Sequence, residues 1–263
     1  MPLVVCATPI GNLEDVTLRV LAELRAADVV LCEDTRHTRG LLERHGIEAR
    51  LLSYHEHNEA SRTSELLPRL QAGERIALVS DAGMPGVSDP GARIVRSALD
   101  AGVEVMVLPG PSAVETALVA SGLVADRHQF LGFLPRGSKS WGDLVGVPWP
   151  SVAFESPQRL PATLRSLAEF DPTREVAVCR ELTKRFEEVA RGSAYELAER
   201  FASPPKGEIT LVIGPGAVEA ADEGVALAAV AELVEAGVPR RRAAELIARV
   251  TGIARNRLYR GSL

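Results

Sequence analysis

Ile76-Ala77-Leu78-Val79-Ser80-Asp81-Ala82-Gly83-Met84-Pro85-Gly86 runs from a short apolar stretch into a turn rich in glycine and proline, and its reading decides the fold. An uninterrupted apolar run of this length is what a strand covered on both faces requires. The same passage recurs on either side of it. Leu3 to Cys6 leads into Thr8-Pro9-Ile10-Gly11-Asn12, and Val103 to Leu108 leads into Pro109-Gly110-Pro111-Ser112. In an open parallel sheet such turns gather at the carboxyl ends of the strands, where these folds bind ligands. Glycine lets the backbone approach a ligand closely, and proline holds the turn rigid. Three such turns imply a binding crevice.

Outward from these turns, strands are expected at residues 3–7, 29–32, 76–80 and 103–108. Helices between them are expected at 16–26, 39–45, 58–71 and from Asp89 to about 101. Leu18, Leu21 and Leu24 recur at helical spacing, Asp89-Pro90 reads as an N-cap followed by proline, and Ser112 with Glu115 reads as a capping box. Strands separated by helices of this length imply a parallel, doubly wound sheet. Near residues 120–127 the pattern resets. Strands at 130–134, 151–155, 175–180 and 209–213, with helices at 161–169 and 194–201, imply a second α/β domain with more antiparallel pairing. Ser193 and Glu196 read as a second capping box, and 135–149 as a polar loop that moves over a site. Residues 214–224 read as a linker, followed by short helices at 225–236, 241–250 and 254–259. The expected division is an N-terminal α/β domain at 1–120, a second at 121–216 and a small basic helical domain at 225–263.

Composition narrows the class. The chain has 263 residues, 46% hydrophobic and 25% charged, the balance of a globular protein. No apolar run approaches the roughly 20 residues that span a bilayer. The opening residues are a strand without a basic leader, so no signal peptide is expected. Cys6, Cys32 and Cys179 are an odd number set in apolar runs, which fits buried thiols in a reducing cytoplasm. The formal net charge is −5. Between residues 239 and 260, however, Arg240, Arg241, Arg242, Arg249, Arg255, Arg257 and Arg260 face a single acid, Glu245. A basic tail on an acidic body raises the odds of a phosphate-backbone partner, although a solvated helical face explains most charge runs.

Absent motifs exclude several chemistries. There is no G-x-x-x-x-G-K-[ST] phosphate loop, no G-x-G-x-x-G after the first strand and no G-x-S-x-G elbow. His55-Glu56-His57 lacks the H-E-x-x-H spacing and a nearby cysteine, so a polar turn explains it and no metal is expected. Asp81 reads either as a turn carboxylate bonding its own backbone or as a carboxylate facing a cationic ligand group. Glu33-Asp34-Thr35-Arg36-His37-Thr38 sits at the end of the second strand, where it either caps the next helix or serves the same rim.

Nine segments in order carry a family resemblance: Ala7 to Leu13, Glu33 to Thr38, Val79 to Pro85, Ser88 to Gly91, Leu108 to Ala113, Gly132 to Pro135, Phe154 to Pro157, Arg180 to Lys184 and Lys206 to Glu208. Together they resemble the tetrapyrrole-methylase superfamily, in its branch that methylates small-subunit ribosomal RNA. The resemblance spans residues 3–214 and the basic tail. It implies two α/β domains with an S-adenosylmethionine cleft between them, in a homodimer. It also implies 2′-O-methylation of a cytidine in the decoding region of 16S rRNA, either free or in the small ribosomal subunit. The cofactor is then expected against Pro9, Asp81, Ala82, Gly83, Pro109, Gly110, Ser112, Ala113, Glu155, Ser156, Leu182, Gly207 and Glu208. Two positions depart from the family pattern. Met84 stands where threonine is usual, and Phe154 directly precedes Glu155 where a tyrosine often intervenes.

A ribose hydroxyl is a poor nucleophile until its proton is removed or its oxygen polarised. Asp34, Arg36, Glu181 and Lys184 are candidates on loops expected to rim the cleft. Arg36 is expected to position a phosphate, and Lys184 or Glu181 to assist the hydroxyl. Arg36, His37, Arg240, Arg241, Arg242 and Arg255 are the expected RNA contacts. Two rival readings stand beside this one: methylation of a tetrapyrrole carbon, and a non-catalytic RNA-binding protein that uses the arginine-rich tail.

Overall fold

Four apolar strands belong to one parallel sheet, β1 (Leu3–Cys6), β2 (Val29–Cys32) and β4 (Ile76–Leu78) at its centre and β5 (Val105–Leu108) at one edge. A computed structural model describes residues 3–136, 140–216 and 223–261. A fifth strand, β3 (Leu51–Ser53), was not expected, and the sheet order is β3-β2-β4-β1-β5 with every pair parallel. β3 lies at the edge and is only half-buried, so it lacks the apolar run that marks its neighbours.

Alternation along the strands makes the sheet doubly wound. Val4, Cys6, Val30 and Ala77 face Val20, Leu21 and Leu24 of α1 (Leu18–Ala26) and Leu41 and Leu42 of α2 (Thr35–Arg44). Leu3, Val5, Leu31 and Leu78 face α3 (Glu59–Gln71) and α4 (Ala92–Asp100) on the other side. Several local expectations are corrected. Leu18 is not in the buried stripe: it sits at the first position of α1 and is 84% exposed. α2 starts four residues earlier than expected, because Asp34 caps it by accepting the Arg36 N–H at 2.8 Å. The N-cap of α4 is Gly91 rather than Asp89.

The second sheet has the order β6-β7-β10-β8-β9. It consists of β6 (Gln129–Phe133), β7 (Ser151–Glu155), β8 (Glu175–Arg180), β9 (Glu188–Ser193) and β10 (Ile209–Ile213). Only β6 and β7 pair in parallel; the other three pairs are antiparallel. β9 was also missed. It is an edge strand reading EVARGS, with one buried residue. α7 (Leu160–Phe170) and α8 (Ala194–Arg200) cover one face, and Ser193 and Glu196 form the expected capping box on α8. α6 (Trp141–Val145) occupies part of the expected loop at 135–149 and buries Trp141 in the same core. Residues 137–139 of that loop lie outside the described residues.

α5 (Ala113–Ser121) covers the opposite face. Its Val114, Ala117 and Leu118 pack with Val152, Ala177 and Val212 of the second sheet. The capping box expected at its start is incomplete, since Ser112 makes no side-chain cap and instead donates its hydroxyl to the Glu115 carboxylate.

Contacts divide the chain into two units, one of residues 1–145 and 149–214 and the other of 146–148 and 215–263. The second holds α9 (Glu223–Glu235), α10 (Arg240–Thr251) and α11 (Arg255–Gly261) around Ala226, Val230, Ala243, Ala244 and Leu258. Residues 217–222 of the expected linker lie outside the described residues. Among the described residues, no helix is long and apolar enough to cross a membrane.

Candidate active site

The turns that follow β1 and β4 are locked together at the rim of the parallel sheet. Thr8 and Gly83 exchange backbone hydrogen bonds at 2.8 and 3.1 Å, and the Thr8 hydroxyl donates to the Ser80 carbonyl at 3.0 Å. The Asp81 carboxylate accepts the backbone N–H of Asp34 at 3.1 Å, so it ties its turn to the end of β2 rather than to its own backbone. These turns form one wall of a cleft of about 750 Å³, and the second sheet forms the other. That volume is ordinary for a small-molecule or cofactor site.

Of the residues expected to meet a cofactor, Asp81, Ala82, Gly83, Ser112, Ala113, Glu155, Ser156, Leu182, Gly207 and Glu208 line this cleft. Pro9, Pro109 and Gly110 do not. Gly110 lies behind the wall, where a Cβ would come within 2.9 Å of the Ala7 Cβ, so its place is set by the close approach of two turns. Glu155 is fully committed to the fold. One oxygen pairs with Arg159 and accepts the Ser156 N–H at 2.7 Å, while the other accepts the Thr163 hydroxyl at 2.6 Å.

Glu181 and Lys184 do not line the cleft. The Lys184 ammonium lies 2.9 Å from Glu181 and 2.8 Å from Glu208, and the Glu181 carboxylate also accepts the Glu208 N–H at 3.0 Å. Partial burial pulls the Lys184 pKa down, but the two carboxylates outweigh it and leave it raised. Glu181 is lowered by the Glu208 N–H and then by Lys184. As held, the pair is a brace. Its task is visible in the backbone, since Glu181 and Thr183 both have positive φ, at 52° and 65°, on either side of Leu182. Such conformations cost on the order of 1–3 kcal/mol each and persist only where neighbours hold them. The brace thereby presents Leu182 to the cleft. Gly207, at φ 98°, is required beside it because a Cβ there would run into the Glu181 side chain.

Arg36 is exposed and paired with Asp34 at 2.8 Å, one hydrogen bond removed from the cleft-lining Asp81, and His37 is exposed beside it. On the helical tail, Arg241, Arg242 and Arg255 are exposed and Arg240 is half-buried. Burial pushes the Cys6 thiol up to about 12 and the cleft-lining Cys179 to about 11, so neither is a nucleophile at neutral pH. Among the described residues no group of three or more His, Cys, Asp or Glu converges as a metal site.

Sequence reasoning missed two components of the cleft. The first is aromatic: Phe130, Phe133 and Phe154 meet edge-on, with centroids 5.0 and 5.5 Å apart. A bulge between Phe130 and Phe133 breaks the register of β6, and Phe133 is left 60% exposed. The second is Asp89, visible in the quoted motif but read as a helix cap. Its pKa is pushed up to about 6, first by burial and then by Glu33, against a hydrogen bond from Ser80.

Charge on the lining is one-sided. Asp81, Asp89, Glu115, Glu155 and Glu208 contribute to it, with His128 but no lysine or arginine. This set of acceptors suits a ligand that carries positive charge, as the sulfonium and ammonium of S-adenosylmethionine do, and it offers nothing to a polycarboxylate. The first turn of α5 also opens on the cleft without a side-chain cap, so its N–H groups are available to a carboxylate.

Comparison with known proteins agrees with this geometry. The family model for tetrapyrrole (corrin/porphyrin) methylases matches residues 2–198. Solved structures share the fold. They include a diphthine synthase at TM-score 0.64 and 15% identity, covering 81% of this chain and 90% of that one. A uroporphyrin-III C-methyltransferase from Thermus thermophilus complexed with S-adenosylhomocysteine has TM-score 0.59 and 19% identity, covering 81% and 97%. Among curated sequences, a protein from Mesorhizobium japonicum named ribosomal RNA small subunit methyltransferase I is 45% identical over 97% of this chain and 88% of its own length. One of the same name from Escherichia coli O157:H7 is 40% identical over 99% and 94%. The chain therefore belongs to the tetrapyrrole methylase family and, within it, to the ribosomal RNA small subunit methyltransferase I group.

Proposed function

We propose that the protein transfers a methyl group from S-adenosylmethionine to the 2′-oxygen of a cytidine ribose in the decoding region of 16S rRNA. The carrying observation is the cleft's lining, five acids without lysine or arginine beside an exposed aromatic face. It supports a cationic cofactor, and it disfavours the rival polycarboxylate macrocycle. Phe133 supplies a face on which an unstacked nucleobase can lie, the usual way proteins take single-stranded RNA.

When bound, the cofactor supplies a methyl group on a positively charged sulfur. The chain's part is alignment and exclusion of water. Asp81, Ala82 and Gly83, the start of α5 and the Gly207-Glu208 segment would hold the cofactor against the turns, with Leu182 and Ser156 closing the other side. In-line transfer then depends on how well the ribose oxygen is placed, which is worth several kcal/mol when geometry is right. Arg36 and His37, in the first turn of α2, would take a backbone phosphate outside the acidic cleft. Arg240, Arg241, Arg242 and Arg255 would add sequence-independent RNA affinity through the tail.

The reading places the enzyme in the cytoplasm as a homodimer, with domains at 1–120, 121–216 and 225–263. Exposed Met106 and Val107 on the edge strand β5, with Leu99 and Val119 on the helices that flank it in sequence, support self-association. The deciding experiment is transfer of labelled methyl to small ribosomal subunits that lack native methylations, followed by nucleoside mass spectrometry. Label in 2′-O-methylcytidine is expected. No label in RNA with cofactor binding intact would return the tetrapyrrole reading.

A further inference from the structure

Asp89 is the cleft acid whose position the fold does not explain. Asp followed by proline just ahead of a helix is the ordinary setting of an N-cap, yet the helix starts three residues later, at Ala92, and its cap is Gly91. The chain reaches that arrangement at a conformational cost, because Ser88 holds φ at 61° without being glycine and Gly91 at 137°. A Cβ on Gly91 would lie 3.0 Å from Leu78 and 3.3 Å from the Gly86 nitrogen, so the loop is folded tightly on itself. The result turns Asp89 toward the cleft instead of onto the helix.

The other lining acids are engaged. Glu155 is held by Arg159, Thr163 and Ser156, Glu208 by Lys184, Glu115 by Ser112, and Asp81 by the Asp34 N–H. Asp89 accepts a hydrogen bond from the Ser80 hydroxyl and has no ion pair to set against Glu33, at the end of β2, and Asp81, which both face it. From the second sheet, Gly132 of β6 approaches the adjacent Ser88, and His128 is the titratable residue lining that side. No cation neutralises it among these neighbours.

We propose that Asp89 is the general base that takes the proton from the ribose 2′-hydroxyl, an inference that rests on the methyl-transfer reading above. As the ribose oxygen bonds to the methyl carbon, the carbon–sulfur bond breaks and its electron pair stays on sulfur, leaving a neutral thioether. The hydroxyl proton passes to the Asp89 carboxylate and from there to water, so charge and atoms balance. A carboxyl pushed up to about 6 is ionised at neutral pH and is still a better base than an ordinary aspartate.

The test is Asp89→Asn, nearly isosteric, with three readouts. Turnover on undermethylated small subunits is expected to fall about 100-fold or more, the range of a lost general base. S-adenosylmethionine affinity by calorimetry is expected to stay within about threefold. In the wild type, kcat/KM is expected to rise tenfold per pH unit to a bend near 6, and this limb is expected to vanish in the variant. Independently of turnover, the carboxyl carbon resonance that disappears in Asp89→Asn is expected to titrate near 6 in the free enzyme. Retained turnover, a retained acid limb, or cofactor binding lost in step with activity would each overturn the assignment. If instead the wild type itself puts no methyl on RNA, the methyl-transfer reading fails and this proposal falls with it, an outcome distinct from a fully active variant.

Discussion

Asp89→Asn carries a second consequence, on stability. The folded protein raises this carboxyl from an ordinary 3.8 to about 6, because burial and then Glu33 disfavour its charge. Its favourable contribution is therefore complete below pH 3.8 and is lost as pH rises through about 6; above that the fold carries a strained carboxylate. Two pKa units correspond to about 3 kcal/mol, and halving this for the part of the group that water still screens leaves about 1.5 kcal/mol. Asparagine cannot ionise, so the variant should be the more stable protein at pH 8, with a midpoint higher by about 3–6 °C for a chain of this size. The advantage should shrink toward zero as the pH falls to 4. Thermal or urea unfolding of both proteins at half-unit steps between pH 4 and 8 measures it directly. A variant that is less stable at pH 8, or a difference that ignores pH, would refute the reasoning. A residue that costs stability where the enzyme works, yet is needed for turnover, is the usual mark of an active-site group.

Two further perturbations test neighbouring claims. Glu155→Ala removes the buried carboxylate that pairs with Arg159 and accepts from the Thr163 hydroxyl, and should cost about 3–5 kcal/mol by urea unfolding. A loss of cofactor affinity with unchanged stability would make Glu155 a ligand contact instead of a brace. Replacing Arg240, Arg241 and Arg242 together with alanine should lower the slope of log RNA affinity against log salt by about 0.7–0.9 for each phosphate contact removed. An unchanged slope takes the tail out of RNA binding.

What could be read in the sequence follows how each residue is covered. The apolar runs of β1, β2, β4 and β10 are buried along their full length, so they stand out as strands without any tertiary information. β3 and β9 are edges, and their patterns mix polar and apolar residues because only part of each is shielded. The turn at Asp81–Gly83 was legible because glycine and proline mark a turn locally, whereas Gly207 and Glu208 entered through the family resemblance alone. Asp89 was misread for the opposite reason. Asp-Pro before a helix signals a cap, and only the long-range contacts of Gly91 with Leu78 show that the loop turns the other way. Glu181 and Lys184 were read as rim charges with a chemical task, but their mutual pairing depends on Glu208, distant in sequence.

α5 has a mechanical consequence. Its first turn forms part of the cleft wall, while Val114, Ala117 and Leu118 are buried against the second sheet. Ile10, from the turn after β1, is buried in that same cluster, so prying the two sheets apart would strip it from this core and open the cleft wall with it. The cleft therefore behaves as a seam rather than a hinge. Entry and exit of a nucleotide must rely on the rim segments, while the distance between the two sheets stays set by the core itself.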